Sequence, residues 1–320
     1  MLAILAVTFP FFALVLCGYL AVRRGLLPQL AIPGLNSFVL YFALPCLLYR
    51  FGATTPAARL LDARVFGVYL LCALCMVGLT LAFTRRRGLD WNNAAFGALV
   101  AAFPNTGFMG VPLLLALLGP ASSGPVIVTL VVDLVITSSL CVALSRLGHA
   151  GAQGSAAALR LALRGVAGNP MPWAIALGAL ASGAGLVLPK PLMQTIDLLA
   201  DAASPVALFT IGAVLARSQL QASRPAPLGD VVPIALAKLL AHPLLIGAVG
   251  HGAIALGVAL DPAALTVLVL VTCLPSASNV ALLSERFGAD TGRVARIILV
   301  STTLSFLSFS AAVFVLVGAR

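Results

Sequence analysis

The sequence predicts an all-α integral membrane protein with ten transmembrane helices. Of its 320 residues, 61% are hydrophobic and only 9% are charged, whereas about 25% are charged in a typical soluble domain. So few charged residues cannot cover the surface of a soluble protein of this length. The apolar residues also fall into runs of about 20, the length that a helix needs to cross a bilayer.

The apolar runs give the order of the predicted elements along the chain. We place the ten spans at residues 2–22, 32–51, 65–84, 92–118, 124–144, 170–188, 192–216, 231–257, 262–284 and 295–318. Residues 146–169 form the longest connection, which we interpret as a cytoplasmic linker. It separates a first group of five spans, residues 1–145, from a second group of five, residues 170–320, within one membrane domain.

Basic residues predict the orientation of the spans. Loops that follow odd-numbered spans contain 13 of the 19 Lys and Arg residues, and loops rich in Lys and Arg stay in the cytoplasm. Both termini are therefore expected outside the cytoplasm, with the protein in the plasma (inner) membrane and in contact with lipid. This distribution also explains the net charge of +10 without a nucleic-acid partner. The 13 residues are Arg23, Arg24, Arg85, Arg86, Arg87, Arg146, Arg160, Arg164, Arg217, Arg224, Arg286, Arg293 and Arg296.

The two halves of the chain resemble each other. Pro45 and Pro205 are 160 positions apart, and so are Gly52 and Gly212. Because each half has five spans, an odd number, the second copy must cross the membrane in the opposite sense. Inverted repeats of this kind are typical of secondary transporters, whose substrate site lies near the membrane midplane.

Spans four and nine each contain a proline about 12 residues from the start, close to the middle of the membrane. Pro104 and Pro275 should interrupt these helices and occupy the first turn of the half-helices that follow. Two half-helix N-termini would then face the membrane centre and offer N–H groups to an anion. The alternative is two kinked helices closed by local hydrogen bonds. The predicted substrate is a small organic anion, bound by Asn105, Thr106, Gly107, Ser276, Ser278 and Asn279.

Ionisable residues inside membrane spans are rare and usually functional, and Asp133, Lys238 and His242 are such residues in the predicted spans. Asp133, in span five, is either a coupling or proton site or a protonated packing residue. Lys238 and His242 share one face of span eight. Lys238 either snorkels to the interface or acts as a substrate or counter-ion residue.

An ordered set of motifs runs along the chain: Pro104-Asn105, Asn169-Pro170, Ala203-Ser204-Pro205, Lys238…Pro243 and Pro275…Asn279. This set resembles the auxin efflux carrier family, which includes plant auxin exporters and bacterial carriers for malate and malonate. The resemblance implies that spans four and nine cross at their prolines. It also implies a scaffold of spans one, two, six and seven, a transport domain that moves like an elevator, and a homodimer.

The predicted function is therefore secondary transport of small organic anions such as dicarboxylates. The alternatives are a sodium-coupled symporter of the bile acid type and an anion channel on the same fold. An intramembrane enzyme would need a nucleophile–base pair or a metal-ligand set at membrane depth, and the sequence shows neither. We expect no catalytic residue, no metal and no cofactor, with coupling to H⁺ or Na⁺ left open.

Overall fold

The computed structural model describes residues 2–54, 62–147, 170–221 and 228–318. Within these ranges every regular element is a helix, which confirms the predicted all-α fold class. The helices are α1 (Leu2–Arg23), α2 (Gln29–Thr54), α3 (Ala63–Arg86), α4 (Trp91–Ala102), α5 (Thr106–Leu118), α6 (Pro120–Ser145), α7 (Pro170–Gly183), α8 (Lys190–Gln221), α9 (Gly229–Ala255), α10 (Pro262–Cys273), α11 (Asn279–Arg286) and α12 (Thr291–Leu316).

Several helices are suited to a lipid bilayer. Over the described residues, six are long and apolar enough to cross one, namely α2, α3, α6, α8, α9 and α12. Shorter apolar helices are present in α1, α5 and α10. The protein is thus a multi-pass membrane protein. Residues 148–169, nearly all of the predicted linker, lie outside the described ranges.

The helices form two compact units. The first unit contains α1, α2, α7 and α8, together with α5 from Gly107 and the start of α6 up to Val128. The second unit contains α3, α4, the remainder of α6 from Thr129, and α9 to α12.

In the first unit, glycines allow helices to touch backbone to backbone. A Cβ atom added to Gly212 of α8 would lie 1.8 Å from the carbonyl oxygen of Val15 in α1. A Cβ atom on Gly52 of α2 would lie 2.6 Å from the carbonyl oxygen of Ile175 in α7. The two glycines are 160 positions apart, and so are the two residues that they touch.

A second pair of glycines repeats this relation. A Cβ atom added to Gly18 of α1 would lie 1.8 Å from the carbonyl oxygen of Phe209 in α8. A Cβ atom added to Gly178 of α7 would lie 2.3 Å from the carbonyl oxygen of Tyr49 in α2. These residues are again related by 160 positions. The contacts between α1 and α8 and those between α7 and α2 therefore involve residues 160 positions apart.

In the second unit, α4 and α10 are matched half-helices of 12 residues each. Each begins after an aspartate whose carboxylate accepts a backbone N–H: Asp90 from Asn93, and Asp261 from Ala263. Such N-caps satisfy donors that have no partner within the helix. The two aspartates are 171 positions apart, the same separation as that between Pro104 and Pro275.

Candidate functional site

The breaks in the fourth and ninth predicted spans cross inside the second unit. Helix is absent between Ala102 and Thr106 and between Cys273 and Asn279. In the gaps, residues 103–105 run antiparallel to residues 275–277, with Pro104 opposite Ser276. The N–H of Asn105 donates to the carbonyl oxygen of Pro275 at 2.8 Å, and the N–H of Ala277 donates to that of Phe103 at 2.9 Å. Hydrogen bonds therefore join the two breaks.

The prolines explain why both segments are extended. A residue before proline avoids the helical conformation, and Phe103 and Leu274 have ψ values of 101° and 156°. Since proline has no N–H, neighbouring residues supply the donors of the crossing. The prediction that Pro104 and Pro275 occupy the first turn of the new half-helices is wrong. They lie in the extended segments, and helix resumes at Thr106 and Asn279.

The crossing collects most of the predicted substrate-binding residues. Asn105, Thr106 and Ser276 are buried, whereas Ser278 and Asn279 are half-buried at the start of α11. Gly107 directly follows Thr106 in the chain and belongs to the first unit.

Two polar atoms at the crossing are buried without a hydrogen-bond partner, the hydroxyl oxygen of Ser276 and the amide oxygen Oδ1 of Asn279. The backbone N–H of Ser276 is satisfied, since it donates to the hydroxyl of Ser301 in α12 at 3.1 Å. Buried polar groups are usually hydrogen-bonded. The Ser276 hydroxyl can therefore donate to a further group, whereas Oδ1 of Asn279 can only accept a hydrogen bond.

Asp133 lies elsewhere in the second unit, fully buried in α6. The hydroxyl of Tyr69 in α3 donates to its Oδ2 at 2.7 Å. The hydroxyl of Thr137 donates to its Oδ1 at 3.2 Å. Both carboxylate oxygens thus have a neutral donor, and no described basic side chain lies within 4.0 Å of them.

Lys238 is fully buried in α9, which contradicts the alternative in which it snorkels to the membrane interface. Its ammonium Nζ donates to the carbonyl oxygen of Thr272 at 2.6 Å. Thr272 lies in the last turn of α10, where carbonyl groups lack helical partners and carry partial negative charge. Lys238 therefore caps the half-helix that leads into the crossing.

His242 is also fully buried in α9, one turn after Lys238. Its ring lies 6.2 Å from that of Tyr69, measured between centroids. Neither ring nitrogen has a hydrogen-bond partner.

The helices that carry Asp133 and Lys238 are irregular at these residues. Residues 132–137 of α6 and residues 237–241 of α9 form π-helical turns. A π-turn adds a residue to the helical repeat and is frequent at functional sites.

Comparison with known proteins identifies the family. Residues 3–313 match the family described as "Membrane transport protein". The chain belongs to this family. It is 34% identical over 314 residues to the "Putative malonate transporter" of Rhizobium meliloti, covering 95% of this chain and 93% of that protein. It is 27% identical over 290 residues to the "Uncharacterized transporter YfdV" of Escherichia coli, covering 88% of each.

The resemblance of this membrane transport protein to auxin efflux carriers is also confirmed. It is 32% identical over 111 residues to "Auxin efflux carrier component 7" of Arabidopsis thaliana, covering 33% of this chain and 17% of that protein. The family is one of membrane transporters rather than enzymes. Among the described residues, no group of three or more His, Cys, Asp or Glu side chains is arranged to hold a metal ion.

Sequence reasoning missed three partners in this transporter, Tyr69, Thr272 and Ser301. Tyr69 and Thr272 bond the buried ionisable residues, and Ser301 bonds the crossing. The role of Tyr69 could have been predicted from its position inside a span, because a buried tyrosine hydroxyl needs a hydrogen-bond partner. For Thr272 and Ser301 no local pattern marks the role.

Proposed function

We propose that this transporter is a carrier of small organic anions such as dicarboxylates and that it binds them where the two interrupted helices cross. The observation that carries the proposal is the buried pairing of residues 103–105 with residues 275–277. Non-helical backbone at membrane depth is tolerated where it is buried in protein or lines a cavity. In transporters, discontinuous helices typically form the substrate site.

The groups beside the crossing favour an anion. Helices start there at Thr106 and at Asn279, and helix N-termini offer N–H groups and partial positive charge. The Ser276 hydroxyl, which has no partner, and the Asn105 amide add side-chain donors. A carboxylate needs such donors. The name of the Rhizobium meliloti relative, which mentions malonate, supports a dicarboxylate.

The proposed topology has ten spans in two inverted repeats, residues 1–145 and 170–320, joined by a cytoplasmic linker at 146–169. In it, α4 with α5 and α10 with α11 each form one interrupted span. Two observations support the repeats: the glycine contacts related by 160 positions in the first unit, and the capped half-helices related by 171 positions in the second. Both termini would lie outside the cytoplasm, in the plasma membrane.

The proposed mechanism is an elevator, in which a transport domain carries the crossing past a scaffold. The division into units supports it, because the first unit contains the helices of predicted spans one, two, six and seven. The first unit also contains most of α5, which differs from the division that the family resemblance implies. A homodimer through the scaffold is part of the proposal.

Counterflow in proteoliposomes tests the carrier. Vesicles loaded with unlabelled malonate should take up labelled malonate transiently against its gradient, and other dicarboxylates should compete. Anion current without counterflow would favour the channel instead. A requirement for Na⁺ would favour the sodium-coupled symporter. Uptake restricted to cations would contradict the anion site.

Alanine variants test the position of the site. Asn105→Ala and Asn279→Ala should each reduce malonate counterflow at least tenfold, since a lost hydrogen bond to a charged group costs about 1.5–3 kcal/mol. The amount of folded protein in the membrane should stay unchanged. Asn36→Ala, in α2 of the first unit, is the matched control and should retain wild-type rates. Wild-type counterflow in both site variants would show that the anion binds elsewhere.

A further inference from the structure

A buried polar cluster in the second unit, formed by Tyr69, Asp133, Lys238 and His242, is not part of the crossing. Each of these four residues is completely buried. Hydroxyl groups bond both oxygens of the Asp133 carboxylate, and Lys238 bonds a carbonyl oxygen instead of Asp133. The acid and the base are therefore not joined as an ion pair.

We propose that Asp133 is a proton-binding site and that its proton is carried together with the substrate anion. The proposal rests on the carrier function proposed above and adds the identity of the coupling ion. In the step itself, a proton from water adds to one carboxylate oxygen of Asp133 and gives a neutral carboxyl group. No other bond breaks, and the proton returns to water when the anion is released on the other side.

The surroundings of Asp133 suit a group that gains and loses charge. Its two hydrogen-bond partners are neutral hydroxyls, which can donate to a carboxylate and can accept from a carboxylic acid. A structural carboxylate buried at membrane depth would instead be expected to have a basic partner in contact. The titratable groups that face the cluster are Tyr69 and Cys72 from α3, Cys141 from α6, Lys238 and His242 from α9, and Cys273 from α10.

His242 adds a second titratable side chain without a described hydrogen-bond partner to the cluster. A neutral imidazole has one N–H donor and one bare nitrogen acceptor. In His242 both are buried and without a partner, although burial of an unsatisfied polar group is costly. Because its ring lies beside Tyr69, His242 can take part when the cluster gains or loses a proton.

Lys238 connects the proton site to the anion site. Its ammonium holds the carbonyl of Thr272, and the extended segment of the crossing begins after Cys273. While Asp133 is ionised, its negative charge offsets the positive charge of Lys238. Protonation of Asp133 removes this offset and leaves Lys238 free to attract an anion. By linkage, a bound anion must strengthen proton binding by the same factor.

The first test uses the wild-type protein in sodium-free proteoliposomes with malonate as the probe. Both sides are kept above pH 7, with the outside one pH unit more acidic, so that malonate stays largely a dianion. With the membrane potential clamped at zero, one proton per dianion should raise accumulation up to about tenfold over that at equal pH, because one pH unit is a tenfold difference in proton activity. A pH dye inside the vesicles should report acidification when malonate is added.

The outcomes separate this proposal from the proposed function. Counterflow at equal pH without any effect of the pH gradient and without acidification would overturn proton coupling, while the carrier function would stand. Absence of counterflow for every dicarboxylate would instead overturn the proposed function.

Variants assign the proton to Asp133. Asp133→Asn should retain measurable counterflow but lose the effect of the pH gradient. Tyr69→Phe should shift the pH profile of uptake, which a purely structural role would leave in place. Asp201→Asn, which removes an exposed acid in the first unit, is the matched control and should keep the full effect of the pH gradient.

If Asp133→Asn also keeps the effect of the pH gradient, the proton binds elsewhere. If that variant fails to fold, Asp133→Glu takes its place, and an unshifted pH profile for Asp133→Glu and Tyr69→Phe together overturns the assignment.

Discussion

Both units pair an arginine with aspartate, but in opposite surroundings. In the first unit, Arg50 contacts Asp197 at 3.3 Å and Asp201 at 2.8 Å, and the aspartate side chains are 41% and 68% exposed. In the second unit, Arg293 and Asp230 pair with only 6% and 13% of their side chains exposed. The first unit thus leaves its ion pairs largely exposed, whereas the second buries an ion pair.

Neighbouring residues accommodate the buried guanidinium of Arg293. Its NH1 donates to the carbonyl oxygen of Asn93 at 2.9 Å. A Cβ atom added to Gly97 would lie 3.0 Å from the guanidinium, so the glycine leaves space for it. The guanidinium therefore joins the starts of α4, α9 and α12. Glycines of the first unit allow backbone contact instead, and the two units differ in what holds their helices together.

The largest expected effect comes from removing the buried pair. Arg293→Ala leaves the carboxylate of Asp230 without its ion partner, and breaking a buried pair costs about 3–5 kcal/mol. We expect a clear fall in the temperature of unfolding of the detergent-purified protein. Arg50→Ala breaks exposed pairs, which are worth about 0–1 kcal/mol, and serves as the control. Similar shifts for the two variants would remove the contrast between the units.

Glycine variants should have the next largest effect. Gly212→Ala forces a methyl group against the carbonyl of Val15, and overpacking of this kind costs about 1–3 kcal/mol. Gly52→Ala, the partner position 160 residues earlier, should behave similarly with a smaller shift, since its distance is longer. Gly67→Ala in α3 is the control, because nothing lies within 4 Å of its added Cβ atom. Unaltered unfolding temperatures for both would contradict the close approach.

The smallest effect is expected at the helix caps of the second unit. Asp90→Ala and Asp261→Ala should each lower stability by about 1 kcal/mol, the usual value of an N-cap. Equal shifts in unfolding temperature would support equivalence of α4 and α10. Asp90→Asn, which keeps a capping side chain, should restore most of the loss. A loss at only one of the two positions would make the caps unequal.

The contribution of Asp90 to stability should also depend on pH. Burial acts to raise the pKa of its carboxyl group, but hydrogen bonds from the backbone and side chain of Asn93 outweigh it, so the pKa is lowered from its ordinary value. The stabilisation by Asp90 is therefore fully present above the unfolded pKa of about 3.9, and it is lost as pH falls through the lower folded value. The difference in stability between wild type and Asp90→Ala should thus shrink below about pH 4.

Prediction from sequence succeeded for the two breaks, where a mid-span proline stands beside small polar residues. Pro104 and Pro275 marked these breaks, whereas Pro205 lies inside the uninterrupted helix α8. Their antiparallel pairing depends on residues of both breaks at once and was not predictable from either. Two roles stayed open for Lys238 because the sequence does not show that its ammonium reaches the carbonyl of Thr272. Tyr69 became important only through packing of α3 against α6.

The two separations within the chain, 160 positions in the first unit and 171 in the second, have a consequence for how the halves diverged. Within each unit the numbering relation is constant, so neither unit has gained or lost residues between its matched positions. The difference arises between Gly52 and Asp90 in the first half or between Gly212 and Asp261 in the second. Both stretches lead from the first unit into the second and include α3 and α9. If the halves arose by duplication, a change of length was tolerated along these stretches and not between the matched positions within either unit.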